Sequence, residues 1–333
     1  MKLQKVVGAL VICLCATAQN ARAQEMSDAT SSTQSAQTAA PNVANDWVTL
    51  RLNLKPGSRY RMTTDSDMKM TIVTAAMSKR PAEKVEMVNT SRQSLDYNVL
   101  YNNADGTTQV RVTYGTATAK MHMTQNGKTL PASSPPNNLS GQSIEMKIAP
   151  NGKVSDVRGF EKIFDRAFDT SKMTGMTPQM KRKMRDDMKK TFGKNFVEGL
   201  SRQTDMSFPE SPIRLGDSWM QKTNLNLGFF SLALNMRRTL QSRAANLLSI
   251  GEKGTLSMDS VPNASSFGGA KLQMAMSGNY SGTTILDETT GFTRSSDMSM
   301  NFGGRATGDA NNQKMAMRLY MLSTARVNVA KLR

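Results

Sequence analysis

From Arg59 to Val73 the even positions carry Tyr60, Met62, Met68, Met70 and Ile72, while the odd positions carry Arg59, Arg61, Asp65, Asp67 and Lys69. A period of two predicts a strand with one buried and one wet face. Trp47 to Leu52 alternates in the same way, and Lys55-Pro56-Gly57-Ser58 turns the chain between the two segments. Lys84 to Tyr101 repeats the pattern, with Val85, Met87, Leu95, Tyr97, Val99 and Tyr101 expected inward. In Gln109 to Gln125 the apolar phase changes, from Val110, Val112 and Tyr114 to Met121 and Met123. The change falls near Gly115, which predicts a bulge or bend there. Asp105-Gly106 and Asn126-Gly127 are hairpin turns by composition.

Pro131 to Gly141 reads as a loop, and Gln142 to Ala149 as a short strand that ends at Asn151-Gly152. The period then changes. Phe160, Ile163, Phe164, Ala167 and Phe168 fall at helical spacing over 159–169. Thr177-Pro178 has the form of an N-cap followed by a first-turn proline. The helix predicted after it carries Met180, Met184, Met188, Phe192 and Phe196 on one face and Lys181, Arg182, Lys183, Arg185, Lys189 and Lys190 on the other. Beyond Phe208 to Pro212 strands resume, at about 218–227, 231–241, 244–251, 254–260, 270–286, 292–303 and 313–329. Strands of about fifteen residues span roughly 50 Å and twist strongly. The expected fold is mainly β (α+β): one large curved antiparallel sheet or half-barrel, with two mid-chain helices against its concave apolar face. The chain shows no Rossmann glycine pattern, P-loop or solenoid repeat.

The start of the chain carries a different message. Met1 to Lys5 holds two positive charges, Val6 to Ala18 is an uncharged apolar run, and Ala21-Arg22-Ala23 is an A-x-A cleavage site. This is the pattern of a secretory signal peptide over residues 1–23, and its apolar run is too short to cross a bilayer. Residues 24–45 read as a disordered tether rich in Ser, Thr, Ala and Gln. Residues 46–330 read as a single β-rich domain with a helical insert at about 159–200. Cys13 and Cys15 both lie in the leader and are preceded by Ile12 and Leu14, where a lipid anchor needs a small residue. The mature chain is expected to have no thiol chemistry. Its expected destination is the periplasm or cell envelope of a bacterium, with release into the medium as second choice.

Charge narrows the partners. Lys and Arg number 43 against 26 Asp and Glu, a net +17, and loss of Lys2, Lys5 and Arg22 with the leader leaves +14. Outside the cytoplasm that balance suits anionic lipid headgroups, lipopolysaccharide or a polyanionic polymer, with Lys181, Arg182, Arg185 and Lys189 as the candidate contact face. It also serves solubility alone. Nucleic acid is disfavoured by compartment and by the scarcity of aromatics.

Methionine, at 26 residues, is the unusual component. Thirteen fall on the apolar side of the predicted strands. Met62, Met68, Met70, Met87, Met274, Met276, Met298, Met300, Met315 and Met317 form the candidate ligand-lining set, with Met121, Met123 and Met321 beside them. Unbranched thioethers either fill a core adaptably or line a site for a flexible apolar ligand such as an acyl chain. Capture of copper(I) is a further reading, invited by Met121-His122-Met123. In a strand, however, His122 points away from both methionines. Oxidant scavenging is the last.

Catalysis has little support. His122 is the one histidine, so a Ser-His-Asp triad or a histidine metal site would depend on it alone. Glu161, Asp165 and Asp169 form a row four apart that reads as a solvated helix face, and Asp186-Asp187 balances neighbouring lysines. Asn89, Asn138, Asn263 and Asn279 match N-x-S/T, which matters only in a glycosylating host. No enzyme activity, cofactor or metal is expected. Two functions are: binding of an apolar or amphiphilic ligand such as lipid on the methionine-rich face, or a structural or interaction module with a filled core and a basic outer face.

Three segments resemble an uncharacterised family of exported bacterial proteins, defined only as a domain of unknown function. They are Leu54-Lys55-Pro56-Gly57-Ser58-Arg59-Tyr60, Phe208-Pro209-Glu210 running to Gly216-Asp217-Ser218-Trp219, and Gly282 to Leu286-Asp287-Glu288-Thr289-Thr290-Gly291-Phe292. The resemblance implies a bacterial envelope protein with no assigned activity and no catalytic residues to carry over. In architecture alone, the expected sheet is similar to the lipoprotein carriers of the Gram-negative periplasm, which does not fix function.

Overall fold

The computed structural model describes residues 47–75, 82–130, 139–167, 177–179, 182, 186, 208–226, 230–260, 271–310 and 313–333. The predicted leader, both cysteines and the tether lie outside these residues.

Among the described residues alternation becomes twelve strands: β1 Arg59–Thr74, β2 Glu83–Asn102, β3 Thr108–Gln125, β4 Lys128–Leu130, β5 Ser143–Ile148, β6 Val154–Arg158, β7 Ser218–Asn226, β8 Phe230–Ala244, β9 Leu247–Ser260, β10 Lys271–Asp287, β11 Thr293–Ala310 and β12 Gln313–Leu332. They make one sheet in the order β6-β5-β3-β2-β1-β12-β11-β10-β9-β8-β7, with β4 paired to β3. Every pairing is antiparallel. The sheet is open, and two meanders meet at its centre where β1 pairs β12 over the full length of β1.

Local chemistry accounts for the turns. Asn126-Gly127 and Ala245-Asn246 hold positive φ, at 49° and 79° and at 49° and 63°, as a tight two-residue hairpin requires. The expected bulge near Gly115 is present. Gln93 faces Ala117 but Leu95 faces Tyr114, so β3 carries one extra residue there. A Cβ on Gly115 would collide with the Ser94 hydroxyl. A second irregularity, between Val99 and Tyr101, reverses the phase at the end of β2. Tyr101, expected inward, is therefore exposed.

Two further expectations are corrected. The segments at 244–251 and 254–260 are a single strand, β9, because its chain runs straight through Gly251 to Gly254. Two mid-chain helices against the sheet are not borne out either. One helix, α1 Phe160–Ala167, follows β6 and buries Ile163, with Glu161 and Asp165 exposed as expected. Of the second, Thr177 to Gln179, Arg182 and Asp186 are described and exposed. Lys181, Arg185 and Lys189 lie outside the described residues, as do Asp169 and the apolar row from Met180 to Phe196.

What packs one half of the sheet is an extended strap, residues 47–58. Val48, Leu50, Leu52 and Leu54 are buried along it while Trp47, Asn53 and Lys55 are exposed. Its period of two gives it an apolar row without membership of the sheet: one bridge, Val48 to Ile213, is its only ladder-type pairing among the described residues. The amides of Leu52 and Asn53 donate to the carbonyls of Pro150 at 2.6 Å and Thr290 at 2.8 Å.

Candidate functional site

The buried face of the sheet divides along the strands into three zones. The first is aliphatic and aromatic and lies under the strap. Val48 to Leu54 pack there with Tyr60, Tyr97, Val99, Val110, Ile144, Leu240, Leu248, Ile250, Leu286 and Phe292. Phe292 sits 4.8 Å from the Tyr60 ring and 5.6 Å from that of Tyr97. Burial beside Tyr114 pushes the Tyr97 phenol up to about 12.

The second zone crosses the sheet and mixes polar side chains with Ala325, Met298 and Gly282. Register aligns Ser91, Ser66, Ala325, Met298, Gly282, Glu252 and Arg238 on β2, β1, β12, β11, β10, β9 and β8. The Ser66 and Ser91 hydroxyls are 2.7 Å apart, those of Thr284 and Ser296 2.9 Å, and Ser323 donates to the Asp67 carbonyl at 3.1 Å. At the β8–β9 side the polar groups are charged. Glu252 is buried and accepts from the Tyr280 hydroxyl at 2.7 Å, and the Arg238 guanidinium lies 3.0 Å away. Burial and the adjacent carboxylate raise the Tyr280 phenol well above its ordinary value, so it stays a donor.

The third zone is methionine-rich. Met68, Met70, Met87, Met236, Met258, Met274, Met276, Met300, Met317 and Met321 are all buried, joined by Tyr280, Phe302 and Leu319, with Met121, Met123 and Met298 half-buried against them. These residues lie on eight consecutive strands from β3 to β8, roughly 34 Å at the usual strand spacing. Every member among the described residues is a side chain of the sheet itself.

Of the predicted lining set, Met68, Met70, Met87, Met274, Met276, Met298, Met300 and Met317 come together in this zone. Met62 does not. It packs in the strap zone, where the Tyr97 hydroxyl approaches its sulfur at 3.9 Å. Met315 lies in β12, and its side chain is outside the described set. Met236 and Met258 belong to the zone although the methionine pattern did not single them out. Glu252 and Arg238 were missed as well, yet the signal was present: Leu248, Ile250, Leu256 and Met258 alternate, and Glu252 falls in their phase. His122 is exposed, away from the half-buried Met121 and Met123. No group of three or more metal-ligating side chains occurs among the described residues.

The exposed face has the opposite character. Arg61 pairs with Asp96 at 2.7 Å, Arg111 with Glu145 at 2.7 Å and Arg326 with Asp297 at 2.8 Å, each across neighbouring strands. No described helix is long and apolar enough to cross a membrane.

At the strap end, a cavity of about 200 Å³ opens between the strap and the β10–β11 turn. Lys55, Ser58, Tyr60, Asp287, Thr289, Thr290, Phe292, Arg294, Val329 and Lys331 line it. Asp287 is the best-bonded group there. Its Oδ1 accepts from Thr289 at 2.6 Å and from the Thr290 amide and hydroxyl at 3.0 Å, and its Oδ2 from Arg294 at 2.7 Å. Burial would raise this carboxyl, but those hydrogen bonds outweigh it and hold it at about 2.

All three segments that carried the resemblance meet around the strap. Lys55 and Tyr60 line the cavity opposite Asp287 to Phe292, and Arg51 donates to the carbonyls of Pro209 at 3.0 Å and Glu210 at 2.8 Å. These features define a class: an open antiparallel sheet with one buried, zoned face and one charged face. Residues 105–293, more than half of the chain, match the family of unknown function DUF6263, and the chain belongs to that family. No curated protein matches the sequence. Among solved structures the chain is similar to lipovitellin, in a structure of its lipid–protein interactions, at 8% identity and a TM-score of 0.43. That alignment covers 84% of this chain and 25% of the other, so the chain spans about a quarter of the protein it matches. It is similar also to the outer membrane protein OprG of Pseudomonas aeruginosa, at 7% identity and a TM-score of 0.25, covering 83% and 97%. For OccK7 of the same organism the values are 6% and 0.24, covering 83% and 100%. Nothing about ligand or membrane follows from likeness at that level.

Proposed function

We propose that this is an exported envelope protein that binds an apolar or amphiphilic ligand, such as a lipid, on the methionine-rich zone of its sheet, and that it acts by binding and not by catalysis. The observation that carries the reading is the division of the buried face. One half is built from branched and aromatic side chains under a strap, as a fixed core requires. In the other half unbranched thioethers predominate, with Ile72, Leu256, Leu319, Tyr280 and Phe302 among them, and thioethers repack around ligands of varied shape at small cost. The polar belt between them offers hydroxyls to the polar end of an amphiphile. The leader pattern in residues 1–23 supports the envelope as its place.

The test is native mass spectrometry of protein purified without harsh detergent, together with titration by a fluorescent fatty acid. Bound lipid, or saturable uptake, is the expected result. Met276→Glu, which puts a charge into the zone, should weaken uptake by about tenfold or more. Protein that is free of lipid and takes up no fatty acid would overturn the proposal and leave the filled-core reading.

A further inference from the structure

The strap-end cavity is separate from the methionine zone, and its charge is not balanced from within. Asp287 is the one carboxylate among the described residues that line it, and both oxygens are already occupied, Oδ1 by Thr289 and Thr290 and Oδ2 by Arg294 at 2.7 Å. The Asp287–Arg294 pair is therefore neutral as a unit. Lys55 and Lys331 line the same cavity and make no ion pair among the described residues, so the space carries two uncompensated ammonium charges. Lys331 stands beside Tyr60 in the β1–β12 ladder, and Lys55 belongs to the turn in which the Ser58 amide bonds the Lys55 carbonyl at 3.1 Å. Both lysines thus rise from fixed backbone. The Tyr60 and Phe292 rings, tilted against each other with centroids 4.8 Å apart, give the cavity an apolar wall.

We propose that this cavity is a binding site for a phosphomonoester group. A phosphomonoester carries between one and a half and two negative charges near neutral pH, matching the two free ammonium groups. A monoanionic carboxylate would leave one unmatched. Lysines bind phosphate as point charges and need no planar fork. The aromatic wall suits the organic group that the phosphate is attached to. Two sources supply the chemistry: a soluble phosphate or the headgroup of a phosphatidic-acid-type lipid.

Calorimetric titration of the full mature protein with inorganic phosphate and, separately, with monomeric dihexanoyl phosphatidic acid decides between them. Saturable binding is expected for at least one probe at about 0.15 M salt, weakening as salt rises. Binding of both points to the soluble source as sufficient; binding of the lipid alone points to the headgroup. Lys55→Gln with Lys331→Gln should lower affinity by about tenfold or more, with the melting temperature unchanged because both side chains are exposed. The single variants serve if the double variant does not fold. No binding of either probe, or binding that the substitutions leave intact, would overturn the proposal. Fatty-acid uptake in the methionine zone is untouched by either outcome, so this site and that one fail separately.

Discussion

Glu252 is the residue whose environment differs most from what its type prefers. It is 3% exposed, on the buried face of the sheet, and it is held by Arg238, Tyr280 and a longer contact from Thr284 at 3.4 Å. Truncating one member of a buried ion pair strands the other's charge, at a cost of about 3–5 kcal/mol. Glu252→Ala is therefore expected to lower the unfolding free energy by about that amount in a urea titration. An exposed pair such as Arg61–Asp96 is worth less than about 1 kcal/mol, so Asp96→Ala is the matched control. Equal losses for the two would show that Glu252 is not held as described. Glu252 shares the alternation phase of Leu248, Ile250, Leu256 and Met258, but it falls between the two strands expected at 244–251 and 254–260, and no local signal named its partners. Arg238 lies fourteen residues away in the chain and Tyr280 twenty-eight, and register alone brings them together.

At the scale of the element, the strap shows how a correct period leads to an incomplete reading. Trp47 to Leu52 alternates as a strand does, and its inward residues are buried as alternation requires. Yet a strand needs a ladder partner, and here the apolar row is satisfied by packing on a face that is already a sheet. Gly291 is what lets the strap lie close. It holds φ at +66°, and a Cβ there would run into the Arg51 carbonyl. Gly291→Ala combines backbone strain with that collision, at a cost of about 1–3 kcal/mol. The expected signature is local: amide exchange at Leu52 and Asn53, which bond Pro150 and Thr290, should accelerate more than exchange in β1 or β12. Uniform acceleration across the sheet would show that the strap is not a separate unit. The bulge at Gly115 was legible because the apolar phase itself changes there. The reversal at Tyr101 was not, because too few residues follow it in β2 to show a new phase.

For the whole molecule the decisive pairing is β1 with β12, which joins two meanders formed from the first and last parts of the folded chain. Loop-closure entropy for that contact must be met before the two meanders can join into one sheet. A chain ending at Ala310 lacks β12 and leaves β1 and β11 as unpaired central edges. It is expected to aggregate and to show no cooperative unfolding transition by circular dichroism. A soluble, cooperatively folding truncation would mean that the two meanders are independent domains.

By itself the sequence determined the strand-rich class, most turns, one buried and one charged face, and the methionine character of the buried side. Each of these is set by neighbours two to four positions apart, within reach of local periodicity. Only the tertiary structure decided that most of the buried methionines of the described strands gather in one half of the sheet, that a strap packs over the other half with Ile163 of α1 beside it, and that Lys55, Asp287 and Lys331 share a cavity. Those outcomes depend on register between strands hundreds of residues apart. Alternation fixes the face a residue takes, but the position at which two strands meet along their length is fixed by the sheet as a whole.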